Sequence, residues 1–271
     1  MTTQPWGSLR PRGLSAVCIS ALRHRILRGA PTKRAVYRLM ERLGPFYDIE
    51  IGDLRLRCRV NDNATETLAI IYGLRRGIEV AQIIGNLKTG DTFVDVGANS
   101  GLFALHAAKA VGPAGTVLAI EPNPAMLERL RFNIEANGFT NVEVAGVAIG
   151  DTSGKATLHI VSKQHGRSSM HPVPGGNTLL TVPLEPLLSV LSSRRIDKIC
   201  AMKIDIEGFE DRALIPFYET APERLWPQHI LIEILARHQF WQRDCLSYLL
   251  DLGYKVAWQG EADTLLARKA S

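Results

Sequence analysis

The sequence predicts an α/β protein with a doubly wound, mostly parallel sheet covered by helices on both faces. Two observations predict it. After residue 90, short continuous apolar runs alternate with helix-period segments, the pattern of parallel strands buried on both sides. Within that stretch, residues 92–101, Thr-Phe-Val-Asp-Val-Gly-Ala-Asn-Ser-Gly, end a strand and pass through a glycine-bearing loop directly into a helix. Such an order places a nucleotide-sized ligand at the carboxyl end of a strand, against the free N–H groups of a helix N-terminus.

Composition sets the outer bounds. With 271 residues, 46% hydrophobic and 22% charged, the chain can bury one large core and lacks the bias of a disordered segment. No apolar run reaches the roughly 20 residues that a membrane-spanning helix needs. Cys18, Cys58, Cys200 and Cys245 are scattered without a Cys-x-x-Cys pair, which argues against a zinc site or disulfide framework and for reduced thiols in the cytoplasm. Charge is uneven: residues 1–42 hold nine Lys/Arg against Glu41 alone, while the rest of the chain nets −3. Arg23-His24-Arg25 interrupts the short apolar stretch from Leu14 to Leu22 and no small-residue cleavage site follows, so no signal peptide is read there. The first reading of this arm is a solvated helical cap on the body. A peripheral membrane-surface helix, suited to a lipid-linked substrate, comes second. Nucleic-acid binding comes last, because aromatic residues barely interleave with the arginines.

Element by element, residues 1–87 are expected to form a basic helical and β-hairpin extension, and residues 88–271 the ligand-binding domain. Residues 14–43 read as one or two helices broken at Pro31. Residues 48–60 alternate at period two around Gly52-Asp53, a hairpin signal. Residues 65–87 read as helix, ending near Gly90. In the second unit, strands are expected at 93–96, 117–120, 142–149, 156–161, 199–204 and 230–235, with helices over 101–111, 124–137, 184–193, 208–218 and 240–252. The strand at 156–161 is read as a hairpin partner of the one before it. Residues 163–178, rich in Gly, Ser, Pro and His, read as a loop, with Ser168, Ser169 and Met170 as a lid over substrate. Strands at 255–258 and 264–267 close the chain and place an antiparallel strand at one sheet edge. Asn63-Ala64-Thr65 matches a glycosylation sequon, a triplet common by chance.

The chemistry concentrates at strand ends. Gly97-x-x-x-Gly101 lacks the middle glycine of a dinucleotide loop, which disfavours a nicotinamide-dependent dehydrogenase; Asn99 stands there instead and tolerates a left-handed backbone better than most residues. The second strand ends in Glu121-Pro122-Asn123-Pro124. An acid there lies beside the first loop and can accept hydrogen bonds from both hydroxyls of a ribose. Asp95 is placed to meet a positively charged amino group. This pair suits S-adenosylmethionine, which carries an ammonium and a sulfonium. The segment Lys203-Ile-Asp205-Ile-Glu207-Gly208 ends a later strand and points Asp205 into the same cleft, unless Asp205 or Glu207 merely caps the following helix. Glu233 is a fourth acid at a strand end.

Read as a set, these pieces resemble the FkbM family of S-adenosylmethionine-dependent methyltransferases. The matching residues are 94–101, Glu121 to Pro124, Asn133-Ile-Glu-Ala-Asn-Gly138, Asn141-Val142, Ala148 to Asp151, Ser168-Ser169 and Lys203 to Gly208, and the match spans residues 88–235 in the family's order and spacing. The resemblance implies a Rossmann-like class I sheet of seven strands, S-adenosylmethionine as cofactor, and O-methylation of a sugar, glycolipid or polyketide-type acceptor. It further implies that Asp95, Gly97, Asn99 and Gly101 cradle the methionine part. Glu121 takes the ribose with Asn123 beside it, Ala148 and Asp151 line the adenine end, and Asp205 faces the transferring methyl. The expected catalytic set is Asp205, Glu207 and Glu233, with Asp205 as first candidate base and His165 and His171 as rivals. No ligand spacing assigns a metal, although Asp205, Glu207 and Glu233 are the hard-cation donors available.

Two departures from the family pattern stand out. Val182-Pro-Leu-Glu185 replaces a Thr-Leu-Asp-like segment, and Glu233 is followed by Ile-Leu-Ala-Arg, with His238 only later. The acceptor pocket is expected to draw on residues 1–90 and 160–185, where the resemblance is weakest. The oligomeric state is left open. Two alternatives compete. An RNA or DNA methyltransferase would use the basic arm, but no base-clamping Asn/Asp-Pro-Pro-Tyr motif follows the fourth strand. A non-catalytic cofactor-binding protein would have no need of Asp95, Glu121 and Asp205 together.

Overall fold

In the computed structural model, which describes residues 4–23, 30–72, 77–161, 164–172, 176–234 and 238–268, the apolar runs assemble into one large sheet and two smaller ones. The chain opens with helices α1 (Leu14–Arg23) and α2 (Ala30–Leu43), the hairpin β1 (Phe46–Ile51) and β2 (Leu54–Arg59), and helices α3 (Ala64–Tyr72) and α4 (Gly77–Ile84). Next come β3 (Thr92–Val96), α5 (Leu102–Val111), β4 (Thr116–Ile120), α6 (Pro124–Asn137) and β5 (Val142–Ala145). An insert follows, made of β6 (Ala148–Gly150), β7 (Gly154–Val161), β8 (Gln164–Ser169) and β9 (Gly176–Pro186). The remainder is α7 (Leu187–Ser193), β10 (Ala201–Ile204), α8 (Glu210–Thr220), β11 (His229–Glu233), α9 (Cys245–Asp251), β12 (Lys255–Gln259) and β13 (Asp263–Ala267).

The large sheet has seven strands in the order β12-β13-β11-β10-β3-β4-β5. β11, β10, β3, β4 and β5 run parallel, and β13 runs against both of its neighbours. The antiparallel strand is therefore one place in from the edge, not at it: β12, though earlier in the chain, lies outside β13. Period-two alternation sorts the side chains. Phe93, Val117, Ala119, Ala201 and Leu231 face one apolar cluster with α5 and α6, while Val94, Leu118, Met202 and Ile230 face another with α7, α8 and α9. From β3 the chain winds outward through β4 and β5, then returns to β10 on the other side, which opens a crevice beyond the carboxyl ends of β3 and β10.

The hairpin is continuous with the first cluster through Ile49, Ile51, Leu54 and Leu56. It is also stitched to α6 by polar contacts. Arg57, fully buried, donates to both oxygens of Asp48 at 2.7 and 2.9 Å and to the carbonyls of Gln4 and Pro5. Its own N–H reaches Asn133 Oδ1 at 2.7 Å. One helical turn earlier, Arg129 pairs with Glu66 at 2.7 Å and with Asp62. A buried arginine left without these partners would be costly, so the pairs specify how the N-terminal elements seat on α6.

Several sequence expectations are corrected. Residues 14–43 hold two described helices, α1 and α2, with Pro31 near the start of the described part of α2 and residues 24–29 outside the described residues. Of the helix expected over 65–87, the described residues show α3 through Tyr72 and α4 from Gly77 to Ile84, and residues 73–76 between them lie outside the described residues. Within the expected loop 163–178, residues 164–169 and 176–178 are strand, and β9 runs on to Pro186, which delays α7. Their small polar residues hide a ladder: β7 pairs with β9 and β8, and not with β5, in a four-stranded sheet ordered β6-β9-β7-β8.

Candidate active site

A cavity of about 550 Å³ opens at the crevice between β3 and β10, within the size range of small-molecule sites. The turn after β3 forms its floor. Gly97 has φ +78°, and a Cβ there would fall 2.0 Å from the Asp205 carbonyl oxygen, so only glycine lets the two strand ends approach. The N–H groups of Gly97 and Ala98 both donate to the Ile120 carbonyl at 2.9 Å, which ties the turn to β4. Asn99 adopts φ +55°, the left-handed conformation that its residue type tolerates. Its side-chain oxygen accepts the Ser100 N–H at 2.8 Å and a short bond from Asn63 of the N-terminal unit. Asn63 is thereby buried inside the protein, so the sequon it heads is not a surface site.

Glu121 closes the β4 side. Its carboxylate is buried, and its two oxygens accept the Asn99 N–H at 2.8 Å and the Asn123 N–H at 2.9 Å. Burial nevertheless pushes its pKa up to about 7, against the pull of these two bonds. Asn123 caps α6 through the Ala125 N–H at 3.0 Å and donates to Ser168 Oγ at 2.9 Å. It supports Glu121 without lining the cavity.

The β10 side is crowded with acids around one cation. Lys203, 5% exposed, donates to the Gly97 carbonyl at 2.7 Å and sits 3.6 Å from Asp95 and 3.7 Å from Asp205. These anions hold its pKa above the usual lysine value although burial opposes it. Asp95 is fully buried, and burial raises its pKa against the pull of the neighbouring Lys203 charge. The amino group that Asp95 meets is the chain's own Lys203. Asp205, Glu207 and Glu233 all line the cavity, as does Asp263, which pairs directly across the strands with Glu233. Burial, then the charge and side-chain hydrogen bond of Asp205 and the charges of Glu207 and Asp263, push Glu233 up to about 10, and its Oε2 has no hydrogen-bond partner. Among the described residues, no group of three or more His, Cys, Asp or Glu side chains is arranged to hold a metal ion.

Neither Asp205 nor Glu207 caps the next helix. The N-cap position, Phe209, makes no side-chain cap bond, and Glu210 instead holds the preceding turn, its Oε1 accepting the N–H groups of Ile206 at 3.0 Å and Gly208 at 3.3 Å. Glu207 sits at φ +58°, and its carbonyl accepts from Ser169 Oγ. Ser168 and Ser169 are the end of β8, and Ser169 is buried; Ser168 and Met170 line the cavity. His171 packs outside the cavity. Its Nε2 lies 3.1 Å from the Gly208 carbonyl and its ring stacks on Phe240 at 4.7 Å, so it braces the 207–208 turn. The side chains of His165 and His238 lie outside the described residues.

Of the sequence candidates, Gly97, Asn99, Glu121, Ala148, Asp205, Glu207 and Glu233 line the cavity. Asp95 lies behind Lys203, and Gly101 starts α5, where a Cβ would sit 2.7 Å from Leu130. Asp151 is outside the lining, 3.9 Å from Arg212 on α8. Sequence reasoning assigned no role to Lys203, Asn63, Glu79 or Asp263, all of which line the cavity. Lys203 did carry a signal: a lysine inside the apolar strand Ala201-Met-Lys-Ile204 must find partners when buried.

A seven-stranded sheet with its one antiparallel strand second from the edge, and an acid-lined cavity at the switch point, define a Rossmann-like class I methyltransferase. The model of the methyltransferase FkbM domain matches residues 95–256, and the chain belongs to that family of S-adenosylmethionine-dependent methyltransferases. A protein-L-isoaspartate O-methyltransferase of Ignicoccus hospitalis is 36% identical over 90 residues, covering 33% of this chain and 39% of that protein. The methyltransferase sdnD of Sordaria araneosa is 26% identical, covering 47% of this chain and 60% of its own. The chain thus spans less than two thirds of either relative. Among solved structures, precorrin-6y C5,15-methyltransferase from Geobacter metallireducens aligns with a TM-score of 0.45 at 15% identity, over 73% of this chain and 89% of its own. Aeropyrum pernix fibrillarin, in complex with natively bound S-adenosyl-L-methionine, aligns with a TM-score of 0.41 at 12% identity, over 70% and 73%.

Proposed function

We propose that this protein methylates a hydroxyl of a sugar, glycolipid or similar small acceptor, with Asp205 as the proton acceptor. The observation that carries the reading is the position of Asp205: a carboxylate on the cavity wall, 38% exposed, immediately beside the Gly97 turn and not consumed by helix capping. The cavity fits the donor. Glu121 has each oxygen bonded by one backbone N–H, and the remaining lone pairs can accept ribose hydroxyls. Ile120, Pro122, Met126, Ala148 and Ile149 offer apolar walls to a purine. When bound, the donor supplies a methyl group on a positively charged sulfur. Asp205 orients the acceptor hydroxyl and takes its proton as the oxygen is methylated. Met170 and Phe240 help exclude water from the same end.

In this reading residues 1–87 form the unit that completes the acceptor side, supported by Asn63, Thr65, Glu79 and Val80 on the cavity wall. The same unit offers a membrane-surface contact. Leu14 (53% exposed) and Val17 (61%) on α1, and Leu43 (47%) on α2, stand among the arginines of the basic arm, a pairing suited to anionic lipid. Among the described residues no helix is long and apolar enough to cross a membrane. Truncating the arm is a poor test, because the Gln4 and Pro5 carbonyls hold buried Arg57. Val17→Glu with Leu43→Glu in the full chain should abolish pelleting with anionic vesicles; unchanged pelleting rejects the contact.

The acceptor is tested with a methyl-labelled donor and fractionated glycans, glycolipids, RNA and protein. Label is expected in a base-stable ether of a glycan or glycolipid. Label confined to RNA or to protein carboxyls would overturn the reading.

A further inference from the structure

Lys203 occupies a place that proton transfer does not explain. It comes from inside β10, yet its Nζ reaches across the switch point to the Gly97 carbonyl at 2.7 Å and lies 3.5 Å from that of Val96. Asp95 on β3 and Asp205 after β10 lie 3.6 and 3.7 Å from it, and the charges of Glu121 after β4 and Glu233 on β11 act on it as well. The Phe103 ring covers it at 5.5 Å. Two of its contacts join the strand ends that also meet through backbone, since the Asp205 carbonyl fills the space where Gly97 has no Cβ. The ammonium therefore spans the same junction from the side-chain side.

We propose that Lys203 is a positioning residue of the donor site: its ammonium holds the Gly97 carbonyl and the Asp205 carboxylate in fixed relation, and that relation sets donor affinity. The inference rests on the placement of the donor along the 97–101 turn. Its rival is a purely structural role, in which Lys203 does no more than neutralise the buried Asp95. Removing one partner of such a pair strands a buried charge, whereas removing both does not.

The difference is measurable without knowing the acceptor. Calorimetric titration with S-adenosylmethionine and with S-adenosylhomocysteine is compared for the wild type, Lys203→Met, Lys203→Arg and the double variant Asp95→Asn/Lys203→Met, alongside thermal melting. Lys203→Met should melt lower and bind both ligands at least tenfold more weakly. The double variant should recover the melting temperature but not the affinity. Lys203→Arg, which keeps the charge, should recover stability and part of the affinity. A double variant that binds at wild-type strength overturns the proposal and leaves Lys203 a counter-ion. If Lys203→Met alone does not fold, the double variant decides. A wild type that binds neither ligand overturns the donor-site reading itself.

Discussion

The two ends of the cavity both present buried acids, but they are built in opposite ways. At the β4 end, Glu121 has each oxygen bonded by a backbone N–H, from Asn99 and Asn123, and those amides belong to a turn and a helix start that packing holds. At the β10 end, Asp205, Glu207, Glu233 and Asp263 share one cavity wall with the Lys203 ammonium, which pairs with Asp205, and Glu233 Oε2 has no hydrogen-bond partner. Backbone donors cannot rotate away, so the first end is shaped before any ligand arrives. Side-chain charges respond to protons and to bound groups, so the second end is where a reaction that moves charge and a proton can be accommodated. The contrast also shows in titration: burial, with the Asp95 charge and against two backbone donors, takes Glu121 to about 7, whereas burial, the charge and hydrogen bond of Asp205, and the charges of Glu207 and Asp263 take Glu233 to about 10.

Four substitutions press on this contrast, from the largest effect to the smallest. Gly97→Ala attacks both ends at once, because its Cβ would fall 2.0 Å from the Asp205 carbonyl at a φ that alanine disfavours. It should lower the melting temperature and remove detectable donor binding by calorimetry; near-normal binding would mean that the strand ends are not held as tightly as drawn. Asp205→Asn should reduce turnover by about 10²–10⁴-fold, the usual scale of a general base, with donor affinity changed only a few-fold. Turnover within a few-fold of wild type would remove Asp205 from the chemistry.

Glu121→Gln keeps the shape but loses the charge and turns a donor toward one backbone N–H. A charged hydrogen bond contributes about 1.5–3 kcal/mol, so donor affinity should fall by roughly 10–100-fold, with little change at the β10 end. Glu233→Gln is the mildest and moves stability in the other direction. Native protein keeps the proton of Glu233 up to about 10, while the ordinary glutamate value is 4.5. Between those values the unfolded chain has released a proton that the folded chain retains, so rising pH erodes stability. Glutamine never titrates. The variant should melt a few degrees higher than wild type at pH 8 and within error of it near pH 4, with Glu121 setting a second, narrower window that closes at about 7. A difference that is flat with pH would show that Glu233 is not held neutral.

Much of the β4 end was legible in the chain because its determinants are local. Gly97, Asn99 and Glu121 announce themselves by residue type at strand ends, and the left-handed backbone at Asn99 follows from what asparagine tolerates. The β10 end was only half legible. Asp205 and Glu207 sit in an obvious strand-to-helix segment, but that Glu210 takes up the N–H groups of Ile206 and Gly208, and that Asp263 brings a fourth carboxylate beside Glu233, depends on the folded chain. The stretch 163–178 reads as loop yet contributes 164–169 and 176–178 to strands for a related reason: Gly, Ser and His have weak strand preference, and pairing with β7 overrides it.

The sequence by itself determined the class of fold, the methyl-donor family and the glycine-and-acid pattern of the donor loop, since periodicity and short motifs depend on neighbours along the chain. Only the tertiary structure decided that β13 inserts between β11 and β12, that Asn63 of the N-terminal unit fastens Asn99, and that Lys203 joins Asp95, Gly97 and Asp205. Those contacts link residues far apart in the chain, and they form because a buried polar group must find its partner wherever the fold brings one within reach.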